Sequence, residues 1–230
     1  MAMNSAVIPG GNQHPVVLED NSQKKRDSET SPSNRPTIKY SLQRSATTHA
    51  MTIRSFNNVY PNIAEKVYVD ETALVIGDVT LGEDASIWPM TVVRGDVNTI
   101  TIGERTNIQD GSVLHVTHDG PYSPGGQSLQ IANDVTVGHH VVLHGCAIEE
   151  FTLIGIASQV MDGATIRTRA LVGAGSLVPP GKELEGGFLW VGRPVKQMRP
   201  LSDRELEYFE YSSSHYVKLK NRHLGLSSQD

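Results

Sequence analysis

From Ile63 onward an apolar side chain returns at every sixth residue: Ile63, Val69, Val75, Leu81, Ile87 and Val93. After a three-residue slip the series resumes at Ile102, Ile108 and Leu114. After a loop it continues at Ile131, Val137 and Leu143, then at Ile148, Ile154, Val160, Ile166, Val172 and Val178. A period of six excludes a helical pattern, which needs 3.6, and its corners break simple two-residue alternation. It is the signature of a parallel β-helix, in which each hexad supplies one short strand plus a corner and three hexads close a triangular coil.

Four residues after most of these aliphatics stands a small or β-branched residue, among them Ala73, Ala85, Thr91, Thr106, Ser112, Ala147, Thr152, Ser158, Ala164, Ala170 and Ser176. Beside a large interior side chain only such a residue fits near the corner without overpacking. Gly77, Gly82, Gly103, Gly155 and Gly173 are expected to supply backbone freedom at the corners. The expected fold class is all-β, a parallel β-helix prism over residues 51–200 followed by a C-terminal α-helix.

That helix is expected over residues 201–224, with 225–230 as a tail. Ser202-Asp203-Arg204-Glu205 is a capping box, flanked by Leu201 and Leu206 as a hydrophobic staple. Leu206, Phe209, Ser213, Tyr216 and Leu219 or Lys220 trace the face that would cover one flank of the prism. Residues 1–50 lack any sustained apolar period and read as a disordered, dispensable extension, with Met51 as a candidate start of the folded chain. They have no hydrophobic stretch like that of a secretory signal, and their carboxylates argue against a transit peptide.

A net charge of −5 with no basic stripe points away from nucleic acid, and no run of eighteen apolar residues suggests a membrane span. The lone Cys146 excludes an intrachain disulfide and fits a reducing, cytoplasmic setting; it reads as a small packed residue, with a fourth-ligand role as the alternative.

Five of the nine histidines fall between Leu114 and Gly145. Leu114 and Leu143 occupy the same side of successive coils, so His115 and His144 project from that side about 4.8 Å apart, the strand spacing. Two imidazoles so placed can share a cation with nitrogen contacts near about 2.0 Å. His139 belongs to another side of its coil, and a neighbouring subunit could bring it to the same point. Three histidine ligands leave coordination positions open, as in catalytic rather than structural zinc sites. His118, at the start of a loop, and His140, next to a candidate ligand, read as ordinary polar residues.

Arg94-Gly95-Asp96, Asn107-Ile108-Gln109-Asp110, Val113-Leu114-His115-Val116, Gly138-His139 and His144-Gly145-Cys146 occur in order and at compatible distances. Together they resemble the gamma-class carbonic anhydrases of the hexapeptide-repeat superfamily, and most closely their small bacterial type, from about Met51 to Leu224. The resemblance implies a left-handed β-helix and a homotrimer. It implies zinc, or iron or cobalt, held by His115 and His144 of one subunit and His139 of the next. It further implies that Gln109 holds the reacting water with Asn107 in support, and that Arg94 and Asp96 pair across the subunit interface. The implied reaction is reversible hydration of carbon dioxide to bicarbonate, through a zinc-bound water whose pKa falls from about 15.7 toward about 7.

Val97 stands where the family's archaeal prototype has a glutamate, and the loop from Thr117 to Gln130 holds a single carboxylate, Asp119. A chain without a proton shuttle is expected to turn over slowly or not at all. Two other functions fit the same fold: a non-catalytic trimeric scaffold or assembly protein, and an acyltransferase using a coenzyme A thioester with one histidine as base.

Overall fold

The structure is a computed structural model in which residues 52–226 are described. The expected extension at residues 1–50 and the last four residues of the expected tail lie outside them.

Parallel strands stack into a solenoid with three faces. The first face, here the histidine face, carries Ile53–Arg54, the first halves of the long strands Leu74–Leu81 and Val92–Ile102, then Val113–His115, Val142–His144, Gln159–Val160 and Leu177–Val178. The second, polar face carries Asn62–Ile63, the second halves of the two long strands, Leu129–Ile131, Ala147–Ile148, Thr165–Ile166 and Glu183–Leu184. The third runs from Tyr68–Val69 through Ser86–Ile87, Asn107–Ile108, Thr136–Val137, Leu153–Ile154 and Leu171–Val172 to Phe188–Gly192. There Val195–Pro200 adds an antiparallel closing strand.

The hexad aliphatics fill the interior. From Val75 to Val178 each one is at most 2 % exposed, which confirms the period as the organiser of the core. A fully buried aliphatic of this size contributes roughly 1.5–3 kcal/mol.

The small corner positions are buried too, with one correction. Ile148 follows Leu143 by five positions instead of six, so Cys146 rather than Ala147 turns inward at that corner. Where the corner residue is a hydroxyl it also bonds to the next coil: Thr91 Oγ1 donates to Gln109 O (3.1 Å), Thr106 Oγ1 to Ala132 O (2.7 Å) and Ser112 Oγ to Gly138 O (3.1 Å).

The corner glycines need a second correction. Of the five expected to give backbone freedom, Gly77 alone has a positive φ, 78°. A Cβ on Gly155 would lie 2.5 Å from the Ala174 nitrogen, so there glycine serves the close approach of coils. The left-handed residue of each two-residue corner is often not glycine, as at Met90 (φ 60°), His140 (56°) and Ala157 (59°).

The C-terminal helix spans Asp203–His223 and starts with the expected capping box: the Ser202 side chain accepts from the Glu205 backbone, and Glu205 returns a bond to the Ser202 nitrogen. It lies on the third face, burying Phe209, Ser212, Ser213 and Lys220, with Leu206 and Tyr216 half-buried. Of Leu219 and Lys220 it is the lysine that is fully buried. Its ammonium donates to Lys66 O (2.6 Å) and pairs with Asp84 on a corner of the prism.

Candidate metal centre

His115 and His144 end two neighbouring strands of the histidine face in direct register. Their ring centroids are 5.1 Å apart, and His115 Nδ1 faces His144 Nε2 at 3.1 Å. The far nitrogen of each ring meets a carboxylate: His115 Nε2 lies 3.0 Å from Asp96 Oδ1, and His144 Nδ1 lies 2.8 Å from Asp162 Oδ1. A carboxylate accepts, so in the neutral form of either ring the proton belongs on the far nitrogen and the facing nitrogen keeps its lone pair. A shared proton or a metal cation between the facing nitrogens satisfies such a pair. Their separation is close to the roughly 3.3 Å that two ligands span on a tetrahedral zinc with bonds of about 2.0–2.1 Å. Carboxylates behind the rings are the usual support of metal-bound imidazoles.

Arg94 pairs with Asp96 within the chain, both projecting from the same side of Val92–Ile102. Burial opposes ionisation of Asp96, but hydrogen bonds from Arg94 and His115 outweigh it and hold the carboxyl below the ordinary carboxylate range. Thr117 Oγ1 donates to Asp162 Oδ1 (2.9 Å). Val97 lies beside Asp96 on the wall of a cavity of about 310 Å³ that Phe56 and Val59 also line.

His139 is elsewhere. It sits in the corner that enters the histidine face, while His144 ends that face, five residues or about 16 Å of extended chain away. Its Nδ1 meets Asp110 Oδ2 at 2.9 Å. Gln109 shares this corner, one coil earlier, and its orientation is defined: Gln109 Nε2 donates to Asn107 Oδ1 (3.1 Å), whose own Nδ2 donates to Thr136 Oγ1 (3.0 Å) and Val135 O (3.4 Å). The candidate residues thus form two separate groups at opposite edges of one face. Among the described residues of one chain, no three His, Cys, Asp or Glu side chains are grouped to hold a metal ion.

Cys146 packs into the hydrophobic core rather than beside the imidazoles, and burial there pushes its thiol far above the ordinary cysteine range. His118 and His140 are exposed. Sequence reasoning gave no role to Asp110 or Asp162, yet a register signal was available. Asp162 follows His144 by 18 residues, and Asp110 precedes His139 by the same 29 that separate His115 from His144.

A hexapeptide β-helix with imidazoles paired on one prism face defines a class of protein, and the comparisons place the chain within it. Protein YrdA of Escherichia coli is 50% identical over 177 residues, covering 77% of this chain and 96% of that protein. A carbonic anhydrase of Geobacillus kaustophilus is 40% identical over 169 residues, 74% of this chain and 89% of that one. Mitochondrial gamma carbonic anhydrase 2 of Arabidopsis thaliana is 38% identical over 184 residues, 79% and 66%. Among solved structures, a putative acetyltransferase of Bacillus cereus superposes with a TM-score of 0.70 at 39% identity, covering 76% of this chain and 98% of that one. A hexapeptide transferase family protein of Anaplasma phagocytophilum gives 0.69 at 35%, covering 74% and 97%. No family model matches the chain. The chain belongs to the gamma carbonic anhydrase family of hexapeptide-repeat proteins. No helix among its described residues is long and apolar enough to cross a membrane.

Proposed function

We propose that this protein is a metal-dependent homotrimer of the gamma carbonic anhydrase type, acting on carbon dioxide and bicarbonate at sites shared between neighbouring chains. The observation that carries the proposal is the facing pair His115 and His144 at one edge of a face whose other edge holds His139 and Gln109. A trimer of prisms would bring the downstream edge of one chain to the upstream edge of the next. The outward row of this face favours such burial: Leu74, Val92, Val113, Val142 and Leu177 are apolar and Gln159 alone among the described residues of that row is polar, whereas the matching positions of the polar face are Thr80, Thr101, Gln130, Ala147, Thr165 and Glu183.

Zinc fits the donor set, and iron or cobalt would be held by the same nitrogens. When bound it supplies Lewis-acid activation of water near neutral pH. His115, His144 and the neighbouring chain's His139 hold it, while Asp96, Asp162 and Asp110 orient the rings from behind. Gln109 keeps its Oε1 free to accept a hydrogen bond from the reacting water, because its Nε2 is engaged by Asn107. Arg94 steadies Asp96. Val113 and Val142, beside the histidines, exclude bulk water once the face is covered. Proton export is the weak step: the position beside Asp96 is Val97, and the loop after the face offers Asp119 alone. Stopped-flow hydration of carbon dioxide by zinc-replete protein is expected to show slow, metal-dependent turnover; no metal uptake at all would contradict the proposal.

Val97 also favours a second reading, a trimeric scaffold that retains the metal for assembly. It predicts full metal loading with no measurable hydration. The names of the two structural relatives support a third, a coenzyme A-dependent transferase, which needs one general base and no metal. Activity that survives complete chelation would favour it.

A further inference from the structure

Four buried polar side chains connect the C-terminal helix to Gln109. Ser212 Oγ lies 2.9 Å from Thr136 Oγ1 across a sequence gap of 76 residues, Asn107 Nδ2 donates to the same Thr136 oxygen, and Gln109 Nε2 donates to Asn107 Oδ1. Serine is a mediocre helix former, and docking alone would be served by an apolar residue. The adjacent buried Ser213 bonds back to Glu210 O within the helix (3.2 Å), whereas Ser212 reaches sideways to the prism.

A carboxamide is nearly symmetric in shape, so its two orientations are separated only by what its neighbours donate and accept. The Val135 carbonyl accepts only, but at 3.4 Å it is a long contact. Thr136 can do either. Either hydroxyl of the Ser212–Thr136 contact can donate; with Thr136 donating to Ser212 Oγ, its own oxygen is left to accept from Asn107, whose NH2 then turns to Thr136 and its oxygen to Gln109. Gln109 is left with its oxygen toward the site. Without the Ser212 oxygen, Thr136 is free to donate to a flipped Asn107, and Gln109 would then present its NH2 instead.

We propose that Ser212 and Thr136 are positioning residues through which the C-terminal helix fixes Gln109 as a hydrogen-bond acceptor, selecting hydroxyl donors such as water over anions at that point. The inference rests on the reading that Gln109 faces the reacting water, but its test does not. The glutamine side-chain amides of the full-length protein are observed by nitrogen-15 NMR, with the Gln109 pair assigned by its loss in Gln109→Glu. In Ser212→Ala the solvent exchange of that pair accelerates about tenfold, equivalent to about 1.4 kcal/mol and the scale of one net hydrogen bond, while Ser213→Ala leaves it unchanged. A rate in Ser212→Ala within threefold of wild type overturns the relay. Equal acceleration in Ser213→Ala overturns it as well, since that would report a loosened helix. The readout needs neither metal nor substrate, so a protein that passes it and fails to hydrate carbon dioxide contradicts the proposed function and not the relay.

Discussion

His144 Nδ1 lies 2.8 Å from a carboxylate oxygen of Asp162, one coil further along the same edge, while its Nε2 faces His115. The contact favours the His144 tautomer with its proton on Nδ1, which leaves the Nε2 lone pair toward His115. Asp162→Asn keeps the shape and removes the charge, and it is expected to weaken zinc affinity by about 10- to 100-fold with the fold intact. Competition with a chelating dye measures this; unchanged affinity would remove Asp162 from the site.

Lys220 is held in a closed environment by Asp84 and the Lys66 carbonyl. Lys220→Ala leaves Asp84 without its partner beneath the helix and is expected to destabilise the protein by about 3 kcal/mol, with Lys220→Met milder because it keeps the packing. Urea unfolding monitored at Trp88, which packs against Tyr216 and His223 of the helix, checks the order.

At the start of the helix Arg199 grips Glu205 through two bonds of 2.8 Å, and with Ser202 it draws the Glu205 carboxyl down to about 2. A depressed carboxyl stabilises the fold above its unfolded pKa, near about 4.3, and that contribution is lost as pH falls through the folded value. Acid titration of helix content should therefore show a component between about pH 4 and 2 that Glu205→Gln lacks. An identical acid profile in the variant would contradict it.

Cys146 faces the core, and its burial disfavours the thiolate. Iodoacetamide at pH 8 should label it only after unfolding, and Cys146→Ser should leave metal binding unchanged. Labelling of the native protein would place the thiol outside the core.

The aliphatic hexads were legible because an inward strand position recurs every six residues whatever occupies the corners. His115 and His144 followed from that count alone. The corner conformations were not legible: Met90, His140 and Ala157 carry no turn chemistry, and stacking of the coils on either side imposes their left-handed backbone. The choice between Leu219 and Lys220 was hidden because the deciding partner, Asp84, lies 136 residues away. Cys146 displaced Ala147 because one corner is a residue short, which a strict period of six cannot anticipate.

Mixing chains tests shared sites most directly. His139→Ala keeps the His115 and His144 pair, His144→Ala keeps His139, and each variant alone should bind no zinc tightly. Co-assembled in equal amounts, about one site in four joins an intact downstream edge to an intact upstream edge. Recovery of about a quarter of wild-type zinc is the expected result. Zinc no higher in the mixture than in either variant alone, or tight zinc in the His139→Ala protein by itself, would contradict a site built from two chains.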